Sequence, residues 1–86
     1  MIKYLYSIYD NKAKAFSNPF TSVNDHTAVR DFQRAATDPN SDICRFPEDY
    51  TLFQIASFND ENAVLDYKSQ IVNLGIASSF KPILEG

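Results

Sequence analysis

Few residues in this sequence could do catalytic chemistry. His26 is the only histidine, and Cys44 is the only cysteine. A histidine can serve as a base or a metal ligand, and a cysteine can serve as a nucleophile where a basic environment favours its thiolate. No Ser-His-Asp or Cys-His set can be assembled around either residue. We therefore expect His26 to be solvated or to cap a helix, and Cys44 to be a small buried hydrophobe.

Two pairs of carboxylates, Glu48-Asp49 and Asp60-Glu61, offer a second kind of chemistry. Carboxylates that converge on one point can bind Mg²⁺ or Ca²⁺. Both pairs, however, stand in sequences typical of turns, where acidic side chains are ordinarily solvated. The sequence also contains no Gly-rich phosphate-binding loop. It therefore predicts no metal site, no cofactor and no enzymatic activity.

Tyrosines and basic residues form the pattern most typical of a binding surface. Aromatic side chains on a sheet often hold single-stranded nucleic acid while Lys and Arg contact its phosphates. The candidates for phosphate contact are Lys3, Lys12, Lys14, Arg30 and Arg34, and the candidates for stacking are Tyr4, Tyr6 and Tyr9. The sequence leaves an alternative open, in which the tyrosines belong to the core or rim of a small sheet and the basic residues to a solvated face.

The charge of the chain is unevenly distributed. The formal net charge at pH 7 is −3, so the field of the whole protein does not attract nucleic acid. Residues 1–34 hold five basic and three acidic residues, a net +2, whereas residues 35–86 hold three basic and eight acidic residues, a net −5. This asymmetry is compatible with local anion contact and with head-to-tail self-association.

A hairpin is predicted to position the first group of candidates. Residues 2–9 alternate as a strand does, residues 10–12 have the Asp and Asn chemistry of a turn, and residues 13–16 return as a second strand. Asn18-Pro19 ends that strand, because proline donates no backbone hydrogen bond. Residues 20–23 are predicted to be a connector.

One main helix is predicted at about residues 24–37. Apolar side chains recur there at helical spacing, Asn24 or Asp25 is suited to cap its start, and Asp38-Pro39 follows its end. The next ten residues, 39–48, are predicted to be a polar loop.

A second hairpin is predicted from residues 51–58 and 63–67, with 51–58 as the central strand. Its Leu52, Phe53, Ile55 and Phe58 are predicted to be core residues. Residues 69–80 could form a short helix or a buried irregular segment, because Gly75 disfavours a long helix.

The element order ββαββ predicts an α+β fold with a single small domain. A four-stranded, mostly antiparallel sheet would carry the main helix on one face and leave the other face partly open. We expect residues 1–80 to form this domain and residues 81–86 to be a loose C-terminal end. With one cysteine, no signal-peptide pattern and no apolar run of about 18 residues, the sequence predicts a soluble, unexported protein that contacts no membrane.

Several segments, taken in order, resemble a known family. They are residues 6–16, 18–20, 28–32, 37–41 and 47–60, the last beginning Pro-Glu-Asp-Tyr-Thr-Leu-Phe. Together they resemble the small non-structural protein of gokushovirus-type microviruses, single-stranded DNA bacteriophages of the Microviridae, over about residues 4–77. The chain departs from that pattern at Ala56 and at the turn 59–62, where glycines are frequent in the family.

The resemblance implies a phage-encoded protein made in the host bacterial cytoplasm and absent from the mature virion. Members of this family are commonly described as DNA-binding, or as helping the switch from duplex replication to single-stranded genome synthesis. No catalytic residues come with it.

Two functions follow as expectations. In the first, a non-enzymatic accessory of genome replication binds single-stranded DNA, or the replication proteins on it, through the Tyr/Lys face of the first hairpin and the Arg30/Arg34 face of the helix. In the second, an interaction or self-assembling module docks a phage or host replication factor through the acidic residues Glu48, Asp49, Asp60 and Glu61. A homodimer is compatible with both, because an open sheet with free edges in a small domain favours pairing.

Overall fold

The computed structural model describes residues 1–80, and for residues 68 and 69 it describes the backbone only. The predicted loose end, residues 81–86, lies outside the described residues. The strands are β1 (Ile2–Asp10), β2 (Ala15–Phe16), β3 (Phe20–Ser22), β4 (Tyr50–Asn59) and β5 (Val64–Ile76), and the helices are α1 (Asp25–Thr37), α2 (Asp42–Arg45) and α3 (Ala77–Phe80).

The strands form one antiparallel sheet in the order β2-β1-β4-β5, with β3 also paired to β1. This confirms the α+β fold with two hairpins and a main helix. The number of strands differs from the four that were predicted, because Phe20–Ser22 is a strand and not a connector. The Ser17-Asn18-Pro19 break divides the strand beside β1 into two short pieces, β2 and β3.

Helix α1 begins and ends where its sequence predicts. The side chain of Asn24 accepts a hydrogen bond from the Thr27 backbone N–H at 2.8 Å, which caps the first turn. Ala28, Phe32 and Ala36 are buried and form the stripe that packs on the sheet. The helix lies over Tyr6 and Leu52, which are the largest apolar side chains in the fully buried core.

Two segments of the described chain differ from their predictions. The loop after α1 contains a helical turn, α2, because Ser41 caps it by accepting a hydrogen bond from Ile43 N–H. Residues 69–80 are neither a helix throughout nor irregular: β5 runs on to Ile76 and the short α3 follows. Pairing with β4 continues past a large bulge in β5, in which the four residues 68–71 lie opposite Ile55 alone.

The two faces of the sheet are unequally covered. Tyr4, Tyr6 and Ile8 of β1 pack toward α1, so we call that side the helix face. The alternate positions of β1, from Lys3 to Tyr9, lie on the opposite side, which we call the open face. Of the four predicted core residues in β4, only Leu52 is fully buried, and Phe53, Ile55 and Phe58 are half-buried. Phe53 and Phe58 lie on the open face, because they pair with Ser7 and Lys3 of β1. Ile55 has no partner in β1, and it borders the same side of the sheet as Ser7 and Phe16.

Candidate nucleic-acid interface

Three aromatic rings meet on the open face, next to the first turn. Tyr9 pairs with Phe16 across β1 and β2, and their ring centroids lie 4.8 Å apart. Phe16 also meets Phe53 of β4 edge-on at 5.6 Å. We call these three residues the aromatic cluster. Phe16 is 49% exposed, so the cluster presents an accessible ring.

The turn between β1 and β2 projects two lysines beside this cluster. Asp10 Oδ1 accepts hydrogen bonds from the backbone N–H groups of Lys12 at 2.9 Å and Ala13 at 3.2 Å, which holds the turn. Lys14 adopts the left-handed conformation, with φ of 59°. Both lysine side chains are exposed, and neither forms an ion pair within the described part of the chain. Lys12 also borders a hollow with Asp10 and Asp49, which weakens its positive field.

Lys3 lies at the other end of β1, about 23 Å from the turn at strand spacing. Its Nζ is 3.8 Å from Asp60 Oδ2. Asp60 also accepts a hydrogen bond from the N-terminal ammonium of Met1 at 2.8 Å, and Glu61 accepts another at 3.1 Å. These bonds raise the pKa of the ammonium and lower that of Asp60. Lys3 is therefore partly neutralised where it stands.

Tyr6 is unavailable for stacking, so its prediction as a nucleic-acid contact is wrong. Its side chain lies beneath α1 and is 0% exposed. Its hydroxyl donates a hydrogen bond to Asp25 Oδ1 at 2.8 Å, and burial, followed by this bond, raises the pKa of Tyr6. Tyr4 is on the same face, beside the start of α1, where it borders a polar hollow with His26 and Gln54. Of the three predicted tyrosines, only Tyr9 reaches the open face.

Arg30 and Arg34 are exposed on the outer side of α1. With about 3.6 residues per turn, they lie opposite the stripe of Ala28, Phe32 and Ala36 that packs on the sheet. They therefore point away from the sheet and lie on the opposite side of the molecule from the aromatic cluster. The structure does not bring the predicted helix contact and the predicted hairpin contact onto one surface.

The two acidic pairs lie at opposite ends of the sheet. The Asp49 carbonyl accepts a hydrogen bond from Asn11 N–H at 2.8 Å, which places Glu48-Asp49 beside the first turn. Asp60 and Glu61 follow β4 at the other end, where they bind the N-terminus. The two pairs are therefore separated by the length of β4 and do not form one acidic cluster.

The sequence predicts no catalytic role for His26 or Cys44. His26 is exposed and Cys44 is half-buried. Within residues 1–80, no three His, Cys, Asp or Glu side chains form a group that could hold a metal ion. None of the helices described has the length and apolar character needed to cross a bilayer.

Two of the three rings in the cluster, those of Phe16 and Phe53, are not among the residues predicted for the nucleic-acid site. A signal for Phe16 was present: in a hairpin that turns at residues 11–14, Tyr9 and Phe16 fall opposite each other. The sequence predicts Phe53 to be a core residue because β4 is apolar on both of its faces, so the alternation of β4 does not show which face is covered.

Comparison with known proteins identifies the chain at the family level. No curated protein and no solved structure matches it significantly. The family model described as "Phage ORF5 protein" matches residues 3–80, which includes both hairpins and α1. The expectation of a bacteriophage protein is thereby confirmed, and the chain belongs to the phage ORF5 protein family.

Proposed function

We propose that this phage protein is a non-enzymatic accessory of genome replication that binds single-stranded DNA on the open face of its sheet. The observation that carries the proposal is the aromatic cluster of Tyr9, Phe16 and Phe53 beside the exposed lysines of the first turn. Bases would stack on the accessible ring of Phe16, while Lys12 and Lys14 contact phosphates.

Stacking supplies most of the affinity in this arrangement. Each base stacked on an aromatic side chain contributes about 1–3 kcal/mol and tolerates any base identity. The structure offers one half-exposed ring and two rings that support it. We therefore expect weak binding with little sequence preference.

The electrostatic contribution is small and can be calculated. Three lysines are available, Lys3, Lys12 and Lys14, and each phosphate they neutralise on a single strand changes the slope of log K against log salt by about −0.7. Two or three contacts give a slope of about −1.4 to −2.1. Raising the salt from about 50 to 200 mM should then weaken binding about 7-fold to 20-fold.

We assign the chain to single-stranded DNA phages of the Microviridae, because of the resemblance in segments such as Pro47 to Phe53. The protein would act in the host cytoplasm and be absent from the mature virion. It would assist the switch to single-stranded genome synthesis together with phage or host replication proteins.

A fluorescence-anisotropy titration with a labelled dT oligonucleotide of about 16 nucleotides at low salt tests the proposal. We expect Lys12→Ala/Lys14→Ala to weaken binding and to reduce the salt slope by about 1.4. Arg30→Ala/Arg34→Ala removes the same charge from the other side of the molecule and should leave binding nearly unchanged. No binding at tens of micromolar protein, or equal losses from both double variants, contradicts the proposal.

A second candidate is self-association, or docking of a replication protein, through the far end of the open face. Leu65 and Tyr67 lie there, opposite Phe58 and Ala56, and Tyr67 is 75% exposed. Exposed apolar residues grouped in this way are typical of protein interfaces. Light scattering during size-exclusion chromatography tests it: a dimer that Tyr67→Lys converts to a monomer supports this candidate, and a wild-type monomer excludes self-association.

A further inference from the structure

The open face contains a shallow hollow beside the aromatic cluster. Its volume is about 270 Å³, and it is lined by Ser7, Phe16, Ser17, Pro19, Ile55 and Ile71. The lining residues come from β1, β4, β5 and the segment around β2, so the hollow crosses the width of the sheet. Phe16 at one side is 49% exposed, and Ile71 at the other is 40% exposed.

Small residues and backbone irregularities create this hollow. Ser7 is buried at its floor and has far less volume than its neighbours along the strand, Leu5 and Tyr9. Ile55 is the extra residue of a bulge between β1 and β4, and residues 68–71 bulge opposite it in β5. A regular sheet with a large residue in place of Ser7 would have no such space.

The hydroxyl groups in the hollow are already hydrogen-bonded within the protein. Ser7 Oγ donates to the Ser17 carbonyl at 2.7 Å. Ser17 Oγ accepts from Ile8 N–H at 3.0 Å and donates to the Asn18 carbonyl at 3.2 Å. The remaining side chains of the lining are apolar. An occupant therefore gains contact with apolar surface and no directional hydrogen bond that could identify it.

We propose that this hollow receives one unstacked nucleobase of single-stranded DNA and does not distinguish between the bases. The inference rests on the proposed function. A base is flat and largely apolar on its faces, so it can contact Phe16 on one side and Ile71 on the other. Lys14 is two residues from Phe16 in the same hairpin, is exposed, and forms no ion pair within residues 1–80, so its ammonium is available to the phosphate attached to such a base.

Abasic DNA separates the base subsite from phosphate binding. A dT oligonucleotide and an abasic oligonucleotide of the same length carry the same phosphate charge, so they differ in the bases alone. We expect dT to bind about tenfold or more tightly than the abasic strand, and dT, dC and dA to agree within about threefold.

Substitutions at Phe16 test whether the difference in affinity between dT and abasic strands depends on the Phe16 ring. Phe16→Leu keeps an apolar side chain and removes the ring, so it should lower dT affinity toward the abasic value and leave abasic binding unchanged. Phe16→Tyr should restore the difference. Phe46→Leu is the matched control, because Phe46 is an exposed phenylalanine that lines a different hollow.

The outcomes distinguish the two proposals. Equal binding of dT and abasic strands, or a difference that survives Phe16→Leu, overturns the base subsite and stacking on Phe16, while binding of single-stranded DNA through its phosphates stands. Absence of binding to either strand overturns the proposed function itself. A Phe16→Leu variant that loses only self-association would assign the hollow to an interface between copies of this chain, which also overturns the inference.

Discussion

Asp25 ties the start of α1 to the middle of the sheet. Its Oδ1 accepts a hydrogen bond from the Tyr6 hydroxyl at 2.8 Å and another from Gln54 Nε2 at 2.6 Å. Tyr6 is 0% exposed, so water cannot easily replace the partner of its hydroxyl, whereas Gln54 borders the polar hollow beside Tyr4. These bonds fix which part of the helix lies over β1 and β4.

Removing the Tyr6 hydroxyl and removing the Asp25 carboxylate should lower the free energy of unfolding by different amounts. Tyr6→Phe deletes one hydrogen bond to a charged acceptor and should cost about 1.5 kcal/mol. For a domain of this size, that lowers the melting temperature by about 6–12 °C. Asp25→Ala removes both bonds and leaves the buried Tyr6 hydroxyl without an acceptor, and should cost about 3 kcal/mol.

Urea unfolding followed by circular dichroism measures these free energies. In the Asp25→Ala background, adding Tyr6→Phe should lower the free energy of unfolding much less than it does alone, because the acceptor of the Tyr6 hydroxyl is already absent. Tyr67→Phe is the matched control, since the Tyr67 side chain is 75% exposed and should change stability by less than about 0.5 kcal/mol. Equal effects of Tyr6→Phe and Tyr67→Phe would refute this role of the Asp25 hydrogen bonds, as would additive effects of Tyr6→Phe and Asp25→Ala.

Three further predictions concern other parts of the fold. The pKa values of Tyr6 and Tyr50 are raised mainly by burial. Their contribution to stability is therefore complete below the unfolded tyrosine pKa of about 10 and is lost as the pH rises above it. Absorbance at 295 nm should show tyrosine ionisation at unusually high pH that Tyr6→Phe reduces, and ordinary titration of every tyrosine would contradict this. Ala63 has a φ of 63° in the β4–β5 turn, so Ala63→Gly should raise the unfolding free energy by about 0.5 kcal/mol after the entropic loss is deducted. Gly75 has a φ of 136°, and a Cβ there would lie 2.5 Å from the Phe80 ring; Gly75→Ala should therefore destabilise by more than about 2 kcal/mol, and adding Phe80→Ala should fail to restore stability because the backbone strain remains.

Local sequence was sufficient for elements that local interactions stabilise. The α1 helix has an N-cap at Asn24, an apolar stripe and a proline beyond its end, and each of these signals lies within a few residues of the structure it produces. The first turn was predictable for the same reason, because the Asp10 side chain bonds to the backbone two and three residues later. The central position of β4 followed from its density of β-favouring residues.

The candidate site was only partly predictable. The hairpin pattern predicts the lysines of the first turn, and in the structure Lys12 and Lys14 lie in the turn that precedes the accessible ring of Phe16. The sequence groups the tyrosines because they share a strand, but successive side chains on a strand point to opposite faces. Tyr6 and Tyr9 consequently lie on different faces of the sheet.

By itself, the sequence determined the element types and the alternation within β1, because these depend on near neighbours in the chain. Which face α1 covers depends on contacts between distant residues, such as Phe32 with the β1–β4 core and Asp25 with Gln54. The packing of α1 on the helix face buries Tyr6, places Arg30 and Arg34 on the side of the molecule away from the open face, and leaves Phe16 accessible on the open face. Only the tertiary structure could decide it, because β4 is apolar on both sides and long-range packing selects the side that is covered.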